Sequence, residues 1–126
     1  MNLQSKRVFL SGPMTGIPHY NVDGFAVANA ICKEHGARHV YNPAQQWLRE
    51  STEEGATKVH ADYMRDCVHE LTREDFGRQH LPFAPYYDLV VLLPGWAESD
   101  GSRIEYTVAR ACGIPTVDLC DVEDGE

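Results

Sequence analysis

The segment Tyr87 to Leu93, YDLVVLL, constrains the fold more than any other part of the chain. A strand with one face in water alternates apolar and polar residues, whereas this run stays apolar from Leu89 to Leu93. Uninterrupted apolar character implies burial on both faces, and such strands belong to parallel sheets covered by helices on each side. Arg7 to Ser11, RVFLS, is a second short apolar run, ending at Gly12. Arg38 to Tyr41 and Pro115 to Leu119 read as two further strands.

Helical patterns separate these strands. Over Val22 to His35, Phe25, Ala28 and Cys32 recur at one-face spacing and Gly36 supplies a stop. Thr57 to Arg73 carries a stripe of His60, Met64, Cys67 and Leu71, with Val59, Tyr63, Asp66 and Glu70 beside it. A third helix is expected over about Ser102 to Cys112 before Gly113. Gln45 to Gly55 reads as a short helix and loop, Asp75 to Pro85 as an irregular insertion, and DVEDGE as a frayed acidic tail. Alternating strands and helices predict an α/β, Rossmann-like (flavodoxin-like) parallel sheet with helices on both faces. The 126 residues form one domain, 1–126.

Charge and composition narrow the function. A formal net charge of -8 argues against binding a nucleic-acid polymer, which needs a basic surface. It leaves room for a small anion, because backbone N–H groups hold phosphate without net positive charge. No stretch approaches the ~20 apolar residues of a membrane span, and MNLQSKRVFLSG has no leader-like apolar region. The four scattered cysteines read as reduced thiols of a cytoplasmic protein. The six histidines show no metal-ligand spacing, so no metal or other cofactor is expected.

In parallel sheets ligands bind beyond the C-terminal strand ends. Two unusual loops fall there, SGPMTG after the first strand and PGWAESDG after YDLVVLL, which points to one shared site. Gly12 and Gly16 allow close backbone approach, although a plain tight turn explains the first loop equally well. Glu105 lies about one turn into the helix that follows the second loop. Its side chain should point back toward the helix N-terminus, whose dipole would keep the carboxylate ionised. By position it is either a helix-stabilising acid or a nucleophile. Asp66 is either helix surface or a proton donor whose pKa is raised by facing the pocket. A nucleophilic carboxylate with a second acid is the pairing that breaks glycosidic bonds through a covalent intermediate. Trp96 either flanks a base or packs in the core.

The combination FLSGPMTGIPHYN, YNPA, DYMRD and DLVVLLPGWAESDGSRIEYTVARACGIP resembles a family of small phage and prophage proteins of unknown function, DUF4406-like. That family is similar to the nucleoside 2-deoxyribosyltransferases and the 2′-deoxynucleoside 5′-phosphate N-hydrolases. The resemblance covers nearly the whole chain and departs at Asp75 to Pro85. It implies that Glu105 attacks the anomeric carbon of a deoxyribose and that Asp66 deals with the leaving base. Gly12, Met14 and Gly16 match positions near the sugar and its 5′ end. Tyr20 and Asn21 lie near a family aromatic. At Ser99 the transferases have an aspartate, suited to a free 5′-hydroxyl, and the hydrolases a serine, suited to a phosphate. A carboxylate would repel a phosphate dianion, whereas a hydroxyl donates to it.

The expected activity is therefore hydrolysis of 2′-deoxynucleoside 5′-monophosphates. Backbone amides of the loop Gly12, Pro13, Met14, Thr15 and Gly16, together with Ser99, would hold the phosphate. Trp96, Asp100 and Gly101 would complete the second loop. Base exchange between nucleosides is the enzymatic alternative and a non-catalytic nucleotide-binding module the other. The resembling enzymes are homo-oligomers whose neighbouring subunit completes the pocket, so at least a dimer is expected.

Overall fold

The computed structural model describes residues 1–14, 17–45, 60–75 and 84–124. The strands are β1 (Arg7–Ser11), β2 (His39–Tyr41), β3 (Leu89–Leu92) and β4 (Thr116–Asp118). The helices named here are α1 (Val22–Glu34), α2 (His60–Leu71), α3 (Asp100–Ala111) and α4 (Leu119–Asp124). Short 3₁₀ turns occupy Pro18–Asn21 and Trp96–Glu98. All three strand pairings are parallel, in the order β2-β1-β3-β4. This is the predicted Rossmann-like α/β sheet, and YDLVVLL supplies one of its two central strands.

The two-residue period of a strand sorts the core into two layers. Val8 and Leu10 of β1, with Leu89, Val91 and Leu93, pack against Phe25, Ala28 and Cys32 of α1 and Leu119 and Val122 of α4. Phe9, Val90 and Leu92 face the other way, onto Leu71 of α2 and Ala109 of α3. Ser11 follows Leu10 and so belongs, by phase, to the α3 side. It is fully buried there.

The expected frayed tail is instead α4. Leu119 and Val122 fall three apart and both enter the core, and this burial holds the acidic segment in a helix. Helix α3 starts two residues earlier than expected because Ser99 caps it, accepting from the Ser102 N–H at 3.3 Å. The ends of the Asp75–Pro85 insertion are drawn together by a Glu74–Pro85 bridge and the Asp75 N–H bond to Ala84. Its interior, residues 57–59 of the second predicted helix and nearly all of the expected Gln45–Gly55 helix and loop lie outside the described residues. Among the described residues no helix is long and apolar enough to cross a membrane.

At the N-terminal edge of the sheet the structure is stapled by charge and aromatic stacking. Arg7 pairs with Asp75 at 2.6 Å, both mostly buried. The Arg7 and Arg73 guanidiniums lie 4.3 and 4.2 Å from the Tyr86 ring centre.

At the opposite edge β1 and β3 are neighbours whose connections diverge, β1 leading to β2 on one side and β3 to β4 on the other. Ligand crevices form at such a switch point. The two strand-end loops are in direct contact there. A Cβ on Gly12 would stand 2.7 Å from Leu93 Cβ, an atom fixed by its own backbone. Gly12→Ala should therefore force the loops apart and destabilise the fold by about 1–3 kcal/mol, measured by urea unfolding.

Candidate active site

The site is built from Glu105 outward. Helix α3 buries Ser102, Glu105 and Ala109, spaced i, i+3 and i+7, against the sheet. Glu105 is only 6% exposed. Ser11, carried to the same layer by the phase of β1, donates its hydroxyl to Glu105 Oε1 at 2.6 Å. From α2, Cys67 packs against the same side of the core and draws the Glu105 pKa down. Tyr41, at the end of β2, packs on this side of the core too. The Tyr41 ring is itself fixed by stacking on Phe9, with centroids 5.1 Å apart.

These neighbours are neutral. Burial is the largest influence on Glu105 and raises its pKa to about 7, while Ser11 and Cys67 pull the other way. The expectation of a carboxylate kept ionised by the helix dipole is thus corrected. Because Ser99 starts the helix, Glu105 is its sixth residue and stands in the second turn, where the dipole effect has faded. Desolvation wins over the pull of Ser11 and Cys67. Burial likewise lifts the Cys67 thiol and the Tyr41 phenol well above their ordinary ranges, so both keep their protons.

Beside this buried group a cleft of about 640 Å³ opens between the two loops. It is lined by Pro13 and Ile17 from the first loop and by Pro94, Gly95, Glu98, Ser99, Asp100 and Gly101 from the second. Glu105 is not among these lining residues. It lies deeper, with Ser102 between it and the cap on the same helix. The Ser102 hydroxyl, on a residue 1% exposed, has no hydrogen-bond partner among the described residues. A buried hydroxyl in that condition is an unused donor and acceptor on the same buried helix face as Glu105.

The structure distributes the remaining predicted residues as follows. Ser99, Asp100, Gly101 and Pro13 line the cleft. Asp100 is exposed and pairs with Arg103, so the residue presenting a hydroxyl at the helix start is Ser99. Gly12 serves the loop-to-loop contact, and Met14 packs against the α1-side core. Thr15 and Gly16 lie outside the described residues.

His19, Tyr20 and Asn21 all have left-handed backbone, with φ of 53, 54 and 63°. Tyr20 is 43% exposed. Asn21 does not cap α1 with its side chain. Its Nδ2 donates to the Pro13 carbonyl at 3.0 Å and so ties the two ends of the first loop. Gly24 makes room for it, since a Cβ there would meet Asn21 Oδ1 at 2.3 Å. Trp96 packs rather than lining the cleft. Its ring lies 4.9 Å from Tyr106 and its indole N–H donates to Asp118 at 3.1 Å.

Asp66 is exposed on α2, adjacent in sequence to Cys67, and its charge raises the pKa of both Cys67 and Tyr41. Among the described residues no group of three His, Cys, Asp or Glu side chains is arranged to hold a metal ion. Sequence reasoning missed Ser11 as the hydrogen-bond partner of Glu105. The available signal was a polar residue ending the apolar run of β1, on the Phe9 side.

Residues 6–118 match the model of a family described as a domain of unknown function, DUF4406. No curated protein and no solved structure matches the chain.

A buried acid with a raised pKa binds a proton more tightly folded than unfolded. Its contribution to stability is complete below pH 4.5 and is lost as pH rises through about 7. The separation corresponds to roughly 3 kcal/mol. Glu105→Gln should flatten the fall in stability between pH 5 and 8 and make the protein more stable than the parent at pH 8, read from urea midpoints across that range.

Proposed function

Because the chain belongs to the DUF4406 family, whose description names no activity, its chemistry is read from its own site, and we propose that it hydrolyses the N-glycosidic bond of 2′-deoxynucleoside 5′-monophosphates. One observation carries the reading. A buried carboxylate, oriented by Ser11 at 2.6 Å, stands on the same helix whose capped N-terminus lines an open cleft. An anion at the cleft would meet the start of α3 at Asp100 and Gly101, the positive end of the helix dipole, and the Ser99 hydroxyl. A sugar extending inward from that phosphate would bring its C1′ toward Glu105.

In this reading ionised Glu105 attacks C1′, the C1′–N bond breaks, and the base leaves with the bonding electrons and a proton supplied through Asp66. Water then cleaves the glycosyl ester, releasing deoxyribose 5-phosphate and regenerating the carboxylate. Ser11 holds one carboxylate oxygen, and burial keeps the group poorly solvated. The exposed Asp66 sits beside Cys67, near enough for its charge to be felt at the site. Homo-oligomerisation, with a second copy completing the pocket, belongs to the same reading, as does a phage origin.

Incubation with single deoxynucleoside monophosphates should release free base and deoxyribose 5-phosphate, resolved by chromatography. Glu105→Ala should lower the rate by about 10³-fold or more. Because the attacking form is the ionised one, kcat/KM should rise with pH through about 7. Exchange onto an added free base, without sugar phosphate, would assign transfer instead. Binding without turnover would assign the non-catalytic module.

Ser99→Asp keeps a good helix cap but sets a carboxylate against the phosphate. It should reduce kcat/KM for the monophosphate roughly tenfold or more relative to the free nucleoside. Equal effects on both substrates would reject the phosphate assignment.

A further inference from the structure

Helix α3 carries polar residues at a regular interval from its cap inward: Ser99, then Ser102, then Glu105. Successive members stand about 4.5 Å apart along the axis, since each residue rises about 1.5 Å. The two outer ones are engaged. Ser99 lines the cleft and accepts from the Ser102 N–H, and Glu105 accepts from Ser11. The middle side chain is not. Ser102 is 1% exposed, and its hydroxyl has no hydrogen-bond partner among the described residues.

A buried hydroxyl left in that condition lowers stability, and native folds pair nearly all such groups. A hydroxyl on a helix can avoid the penalty by bonding the carbonyl one turn back. Thr72 does so to Val68 and Thr107 to Arg103, but Ser102 does not. Alanine would fill the same space without the unpaired group and is the better helix former. Helix side chains lean toward the N-terminus, here toward Asp100 and Gly101, which line the cleft. The path along this face from the cleft to Glu105 therefore passes Ser102.

Resting on the placement of a phosphate at Ser99 and of C1′ at Glu105, we propose that Ser102 is a substrate-contacting residue whose hydroxyl bonds the 3′-hydroxyl of the deoxyribose. What joins the phosphate to C1′ is the sugar itself, so a nucleotide held at both ends of this series lays its ring across Ser102. The ring oxygen can only accept. The 3′-hydroxyl donates and accepts, as the serine does, and can meet it in either sense. A site built around such a bond rejects an analogue lacking the hydroxyl, because the protein group then stays buried and unpaired. The ligand-free fold holds Ser102 in that state, and substrate relieves it.

The test compares the common 2′-deoxynucleoside 5′-monophosphates with their 2′,3′-dideoxy counterparts. Dissociation constants are measured by calorimetry on Glu105→Gln protein, to suppress turnover. The 3′-hydroxyl should tighten binding about tenfold, and adding Ser102→Ala should abolish that preference. In the absence of ligand, Ser102→Ala should raise the urea midpoint. A preference that survives Ser102→Ala would overturn the proposal. So would equal weakening of both series, which marks a merely structural serine, a lowered urea midpoint, or no binding of either series.

The hydrolase reading fails separately. A preference lost on Ser102→Ala, in a protein whose parent hydrolyses none of the monophosphates, would sustain the contact and remove that reading. Release of free base by the parent, with the preference unmoved by Ser102→Ala, would do the reverse.

Discussion

Everything distinctive in this protein depends on keeping one carboxylate, that of Glu105, away from water without giving it a cation. Desolvating an ionised carboxylate is among the most costly things a fold can do, and a salt bridge is the common remedy. Here the observed remedy is the Ser11 hydroxyl. A neutral donor eases the charge without cancelling it, which leaves the group close to balance between its two protonation states at neutral pH. A guanidinium in the same place would hold the carboxylate permanently ionised. The geometry is demanding. The phase of β1 must turn Ser11 toward α3, the start of α3 must set Glu105 on its inner face, and the stripe of α2 must bring Cys67 to the same level.

The sheet separates durability from reactivity. At its N-terminal edge the Arg7–Asp75 pair, the two guanidiniums about Tyr86 and the Tyr87–Glu70 bond tie elements together. At the other edge the central strands end in loops rich in glycine and proline, in contact at Gly12 and Leu93. The order β2-β1-β3-β4 makes these two strand ends adjacent, so residues more than eighty positions apart in the chain converge on one cleft.

The parallel sheet was legible because a strand buried on both faces has no polar face to hide its assignment, and Leu89 to Leu92 are all buried as that argument requires. The nearness of the two odd loops followed from the same logic. Glu105 could be singled out from its place after such a loop, but not its environment. Position along a helix says nothing of what packs above it, and burial outweighed the dipole. Ser11 and Cys67 were hidden because each looks like an ordinary core residue in its own segment. Asn21 shows the same limit in reverse. It is a favoured capping residue at a helix start, yet its amide group is diverted to the Pro13 carbonyl. The tail of the chain was misread because its acidic composition concealed two apolar residues at helical spacing.

The segment that follows the cleft-lining Ile17 has an energetic peculiarity. His19, Tyr20 and Asn21 hold left-handed backbone in succession without a glycine among them, a conformation disfavoured by about 1–2 kcal/mol per residue. Three such residues together cost about 3–6 kcal/mol, several times the roughly 1 kcal/mol of one hydrogen bond, so the Asn21–Pro13 bond is one of several restraints on the segment. A ligand able to compete for the Pro13 carbonyl would therefore do more than occupy space. It would remove one restraint on the segment and recover part of that stored energy as affinity.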